Sequence, residues 1–143
     1  MEEKTFLQNI KVIKNFVSPA QLQGLGDLYR SPEKSAALEI AGRLAGIINK
    51  MPETYGTEDI ATQLKTLQLH YFNSSSDWYI IEKDKGSEGD EEKGLQHQAF
   101  GYAILNQDEI NAEWGYISIV ELLKFGVELD FYFNTTQFKD LSK

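Results

Sequence analysis

The chain has no cysteine, three prolines and two histidines among its 143 residues. Each shortage removes a class of chemistry. Without cysteine there are no disulfides, no thiolate metal ligands and no thiol nucleophile, so a cytoplasmic setting is the simplest expectation. The two histidines, His70 and His97, are not paired at a metal-ligand spacing. Long apolar runs are missing too. Nothing approaches the roughly 20 residues needed to span a bilayer, so no membrane partner is expected. The opening MEEKTFLQNIKVIKNF has acids where an export signal has bases, and Lys11, Lys14 and Asn15 break up its apolar residues.

Positive charge is scarce in one half only. Residues 1–76 hold eight acids and eight bases, whereas residues 77–133 hold thirteen acids against Lys83, Lys85, Lys93 and Lys124. Nearly all of the net charge of −8 therefore belongs to the second half. Such a field repels phosphate backbones, so direct nucleic-acid binding is not expected. It favours a protein partner with a basic surface.

With 41% hydrophobic and 12% aromatic residues, the chain can build one real core. The pattern predicts a single α+β domain over residues 1–143, helical over 1–65 and an antiparallel sheet of about five strands over 66–143. Ser18-Pro19-Ala20-Gln21 combines an N-cap serine, a proline at the first helical position and a glutamine at the capping-box position. Ser31-Pro32 repeats the device ahead of Ala37, Ile40, Ala41, Leu44, Ile47 and Ile48, a helical spacing that should end before Pro52. Thr57 is expected to cap a short helix reaching about Lys65.

Beyond Lys65 the period becomes two. Leu67, Leu69 and Tyr71 alternate with polar residues, and Trp78, Ile80, Glu82 and Asp84 are expected to share one strand face. Asn73 to Asp77 is turn chemistry, which predicts an antiparallel hairpin. The acidic, glycine-containing stretch from Lys85 to Gly94 reads as a mobile loop. Further strands are expected at about Gln96–Leu105, Glu113–Ile117 and Val127–Phe133, in the order of a meander. Ser118 and Glu121 form a capping box before the last strand, and Gly126 ends the short helix it opens.

No motif identifies a catalytic residue, a metal site or a cofactor. A Gly-x-Ser-x-Gly elbow and a phosphate-binding glycine loop are both lacking, and Glu88, Asp90, Glu91 and Glu92 do not follow calcium-loop spacing. The aromatics Trp78, Tyr79, Phe100, Tyr102, Trp114 and Tyr116 suit cross-strand packing better than base stacking, because the bases that accompany stacking platforms are missing. Five strand carboxylates remain as candidates: Glu82, Asp84, Glu113, Glu128 and Asp130. They are either the solvated face of an amphipathic sheet or a convergent set able to hold a cation. With Trp78 and Tyr116 they form the predicted binding set.

Several stretches carry a resemblance. Pro52-Glu53-Thr54-Tyr55-Gly56-Thr57-Glu58, Phe72, Trp78-Tyr79 with Glu82 and Asp84, Phe100-Gly101, Glu113-Trp114-Gly115-Tyr116-Ile117-Ser118 with Glu121-Leu122, and Glu128-x-Asp130 with Phe133 keep their order over residues 52–133. In these the chain resembles the bacterial domain-of-unknown-function 2958 family. The resemblance implies a small cytoplasmic accessory protein of mobile genetic elements, encoded near antirestriction or replication genes. The charge split leads us to expect a non-catalytic interaction protein for a basic partner surface; the strand carboxylates offer the alternative of a metal-assisted hydrolase or small-ligand-binding enzyme. A structural or homo-oligomeric role through an exposed strand edge is a third possibility.

Overall fold

The computed structural model describes residues 2–85 and 94–141. The loop acids Glu88, Asp90, Glu91 and Glu92 lie outside them. The expected α+β architecture is present. Three helices, α1 (Glu2–Ile13), α2 (Pro19–Tyr29) and α3 (Lys34–Lys50), precede a five-stranded antiparallel sheet. Its strands are β2 (Leu69–Phe72), β3 (Asp77–Glu82), β4 (Ala99–Ile104), β5 (Glu113–Ile117) and β6 (Glu128–Leu129), with a short α4 (Ile119–Lys124) before the last. A separate ribbon pairs β1 (Thr66–Leu67) with β7 (Thr136–Gln137). No helix among the described residues is long and apolar enough to cross a membrane.

Local chemistry explains the ends of the helices. The Ser18 hydroxyl accepts the Gln21 N–H at 3.2 Å and Pro19 takes the first helical position, which satisfies one otherwise orphaned donor. Ser118 caps α4 in the same way, accepting from the Glu121 N–H at 3.2 Å. At the other end of α4, Gly126 has φ 76°, Val127 N–H donates to Leu122 O and Gly126 N–H donates to Leu123 O, a Schellman closure that favours glycine.

Two expected caps do other work. The Ser31 hydroxyl donates to Leu28 O at 2.6 Å and accepts the Glu33 N–H, so it closes the end of α2, and α3 starts at Lys34 without a side-chain cap. Thr57 opens no helix, and only a 3-10 turn at Thr62–Leu64 forms before the first strand. The Thr57 side chain is drawn instead into a buried bond with Glu82.

The hairpin of β2 and β3 forms as the turn chemistry predicts, with Asn73 Oδ1 accepting the Ser75 and Ser76 N–H groups. Only four strands make a meander. The spatial order is β5-β4-β3-β2-β6, because α4 carries the chain back to the free side of β2. The last strand is two residues long, not seven: Asp130 turns the chain, with its carboxylate accepting the Tyr132 N–H. The third predicted strand also starts later than expected, at Ala99.

Residues directly opposite on neighbouring strands share a face. Tyr71, Trp78, Ile80, Ala99, Ile117 and Leu129 look inward and pack with Ile13, Leu25, Ile40 and Leu44 of the helices in one core. The outer face holds His70, Tyr79, Phe100, Tyr102, Trp114 and Tyr116. The C-terminal segment partly covers it, with Phe133 beside His70 and Tyr79, and Phe138 at 4.8 Å from Tyr102 and 4.9 Å from Trp114. Phe133 therefore sits on the opposite face from the one that alternation from Val127 predicts.

Candidate functional site

The pairing of β3 with β4 shifts by one residue between Ile80 and Glu82, so Ile80 lies opposite Gly101 but Glu82 lies opposite Phe100. This bulge moves Glu82 off the Trp78–Ile80 face, where plain alternation puts it, and onto the outer, aromatic face. There the carboxylate is only 5% exposed. It is fully engaged: Oε1 accepts the Tyr55 N–H at 2.8 Å, and Oε2 accepts the Thr57 N–H at 3.0 Å and the Thr57 hydroxyl. Residues 52–57 are further tied to the end of β3 by Thr54 N–H to Lys83 O and Lys83 N–H to Pro52 O, both 2.9 Å. One buried glutamate and two ladder-like bonds thus fix a loop that has no regular structure of its own.

The loop holds Tyr55 in a left-handed conformation, φ 75°, a backbone state of order 1–3 kcal/mol above the usual regions for a bulky residue. Its ring is thereby placed over the sheet, where its hydroxyl bonds that of Tyr116 at 2.6 Å. Below this pair, Phe100 stands edge-on to Tyr116 at 5.6 Å and is stacked with Trp114 at 6.3 Å. These rings and Glu82, Glu58 and Lys65 line a cleft of about 390 Å³. The Lys65 ammonium donates to Thr57 O at 2.6 Å, so the two carboxylates leave the cleft with one net negative charge. The bond from Tyr55 raises the ionisation of Tyr116 above the ordinary phenol value, and burial and the charges on Glu82 and Glu58 add to the effect.

A second hollow, about 590 Å³, lies on the inner side of β5 and is lined by Trp78, Asp108, Glu113, Glu121 and Phe125 among others. Trp114 and Tyr116 border both hollows, which therefore flank the same strand. A third, beside Leu7 and Lys11, is lined by a single helix.

The five carboxylates picked out from the sequence do not meet. Glu82 closes the cleft at one end of β3. Asp130 lies toward the other end, where His70 is held between Asp130 at 3.1 Å and Asp77 at 2.7 Å. Asp84 accepts the N–H groups of His97 and Gln98, tying the end of β3 to the start of β4. Glu113 faces the inner hollow, and Glu128 is exposed beside Phe72. Among the described residues no group of three or more His, Asp or Glu side chains is placed to hold a metal ion.

No family model matches the chain, nor does a curated protein or a solved structure. The resemblance drawn from the sequence accordingly rests on the residues quoted for it. Of the predicted binding set, Glu82 and Tyr116 come together in the cleft, and Trp78, Glu113 and Tyr116 border the inner hollow. Sequence reasoning missed Tyr55, Glu58 and Lys65, whose approach to the sheet depends on the bulge, and it assigned Phe100 and Trp114 to packing. Four rings and a carboxylate around one opening make a setting in which a guanidinium or ammonium group is attracted by ring faces and by charge together.

Proposed function

We propose that the protein is a non-catalytic interaction module that takes up an arginine or lysine side chain of a basic protein partner in the cleft of Tyr55, Phe100, Trp114 and Tyr116. One observation carries the reading: a loop is held in a strained conformation by a buried carboxylate so that an aromatic wall closes over a negatively charged opening. A ring quadrupole attracts a cation by about 0.5–1 kcal/mol at an exposed site and about 2 when desolvated, so several rings and one net charge make a selective site for a cationic side chain. The surrounding acidic half adds long-range attraction and speeds encounter. The separation of the five strand carboxylates supports this reading over a metal-assisted hydrolase, which needs them together. An accessory role of this kind also agrees with what the resemblance implies.

The test is titration calorimetry with an oligo-arginine peptide at two salt concentrations, on the native chain and on Glu58→Gln and Tyr116→Ala, both exposed positions. Binding should weaken with salt and with either substitution. Binding that is indifferent to both substitutions would place the peptide elsewhere and refute the cleft.

A further inference from the structure

We propose that β5 is a docking edge on which an extended, basic segment of the partner pairs with the sheet as an added strand. This rests on the cationic-partner reading and specifies how that partner is held. The two edges of the sheet are treated differently by the fold. At β6 the Gln21 carboxamide occupies the place of a neighbouring strand: its Nε2 donates to Leu129 O at 2.9 Å and its Oε1 accepts the Leu129 N–H at 2.9 Å. That edge is two residues long and closed.

At β5 nothing comparable is present. Among the described residues, the backbone of Glu113–Ile117 makes no hydrogen bond beyond its pairing with β4. An exposed edge is normally blunted with lysine, proline, a bulge or shortness. The sequence Glu-Trp-Gly-Tyr-Ile has none of these, its single charge, the inward-facing Glu113, standing at the start of the strand, and it pairs in unbroken register with β4 over all five residues. A Cβ at Gly115 would meet nothing within 4 Å, so the inner face of the strand is open at its middle, beside the inner hollow.

The surroundings specify the occupant. Successive side chains of an added strand point to opposite faces. One set would enter the outer cleft with Tyr116, Trp114 and Glu58, and the other the inner hollow with Glu113, Glu121 and Phe125. Both hollows offer acids beside aromatic carbon, which suits a segment of basic residues interspersed with apolar ones. Main-chain bonds would supply the affinity and the two hollows the selectivity. A second copy of this chain is a poorer occupant, because pairing β5 with β5 brings two acidic halves together.

The probe is a fluorescein-labelled octapeptide of alternating arginine and valine, with two isomers carrying N-methyl groups on the amides of one edge or of the other. Methylation keeps the charge and removes donors from a single edge. The expected result is salt-sensitive binding of the parent, with one isomer at least about tenfold weaker and the other close to the parent. Alternate β5 amides should also become protected from hydrogen exchange. If both isomers bind like the parent and no β5 amide is protected, strand addition is wrong while the cationic-partner reading stands. If the parent does not bind even at low salt, both fall. If light scattering shows a dimer without peptide and β5 amides are protected as it forms, the edge belongs to a second copy and the proposal is overturned.

Discussion

Replacing Glu82 by glutamine tests the keystone of the cleft with a change of very few atoms. The carboxylate accepts from two backbone N–H groups, one on each oxygen, and from the Thr57 hydroxyl. Glutamine keeps one acceptor oxygen and turns an NH₂ toward the remaining donors. The Thr57 hydroxyl can rotate to accept; a backbone N–H cannot. Either Tyr55 or Thr57 is then left with a buried donor unsatisfied, a penalty of about 1–3 kcal/mol, and the surviving bond loses its charge assistance. The expected loss is about 2–3 kcal/mol. With a urea m-value of about 2 kcal/mol/M, the unfolding midpoint should fall by about 1 M or slightly more at unchanged m. Hydrogen exchange should quicken at the Tyr55 and Thr57 amides, and the Tyr116 hydroxyl, losing its fixed partner, should ionise closer to its ordinary value. A midpoint shift below about 0.3 M, with those amides still protected, would show that Glu82 does not hold the loop.

Three further outcomes are expected. Tyr79 is pushed up to about 12 by burial and by the charges on Asp77 and Asp130. The folded protein therefore keeps that proton where the unfolded chain releases it, so stability is intact below about pH 10 and declines as pH rises from there toward 12; Tyr79→Phe should flatten part of this decline in urea melts across that range. Gln21→Leu removes both bonds to Leu129, which should destabilise by about 1–2 kcal/mol and open the β6 edge, read as a lowered unfolding midpoint and concentration-dependent light scattering. Gly101→Ala would drive a methyl group into the Tyr79 carbonyl across the β3–β4 pair, so a loss above about 3 kcal/mol or failure to fold is expected, seen by circular dichroism.

What the sequence made legible was whatever local chemistry decides. Ser18 with Pro19, Ser118 with Gly126, and the Asn73 turn each depend on residues within one turn of chain, and each forms as the pattern indicates. Errors arose where a distant partner competed. Thr57 has the side chain of a cap, but bonding the buried Glu82 satisfies both groups at once. Gln21 sits at a capping-box position, yet its carboxamide reaches Leu129. Alternation counts residues along a strand and cannot register a bulge, so it misplaced Glu82 and with it the cleft. The same limit applies to β6, whose position beside β2 depends on where α4 packs.

The charge asymmetry that stands out in composition also changes meaning once its acids are placed. In the second half, Glu82, Asp84, Asp108 and Asp130 accept hydrogen bonds from within the fold, and Asp77 and Asp130 flank the two ring nitrogens of His70. These acids tie strands and loops together, and a partner that competed for them would have to undo those bonds. Among the described residues, Glu113 and Glu121 face the inner side of β5 without such a bond, and Glu58 lines the cleft on its outer side. Among the described residues, three carboxylates without such bonds thus border β5, while Glu128 stands exposed at the opposite edge of the sheet and Glu82, Asp84, Asp108 and Asp130 serve the fold. Net charge reports a tendency to attract cations, and the hydrogen-bond pattern reports where that attraction is available. Both point to β5, where the unpaired backbone, the two hollows and the free carboxylates coincide.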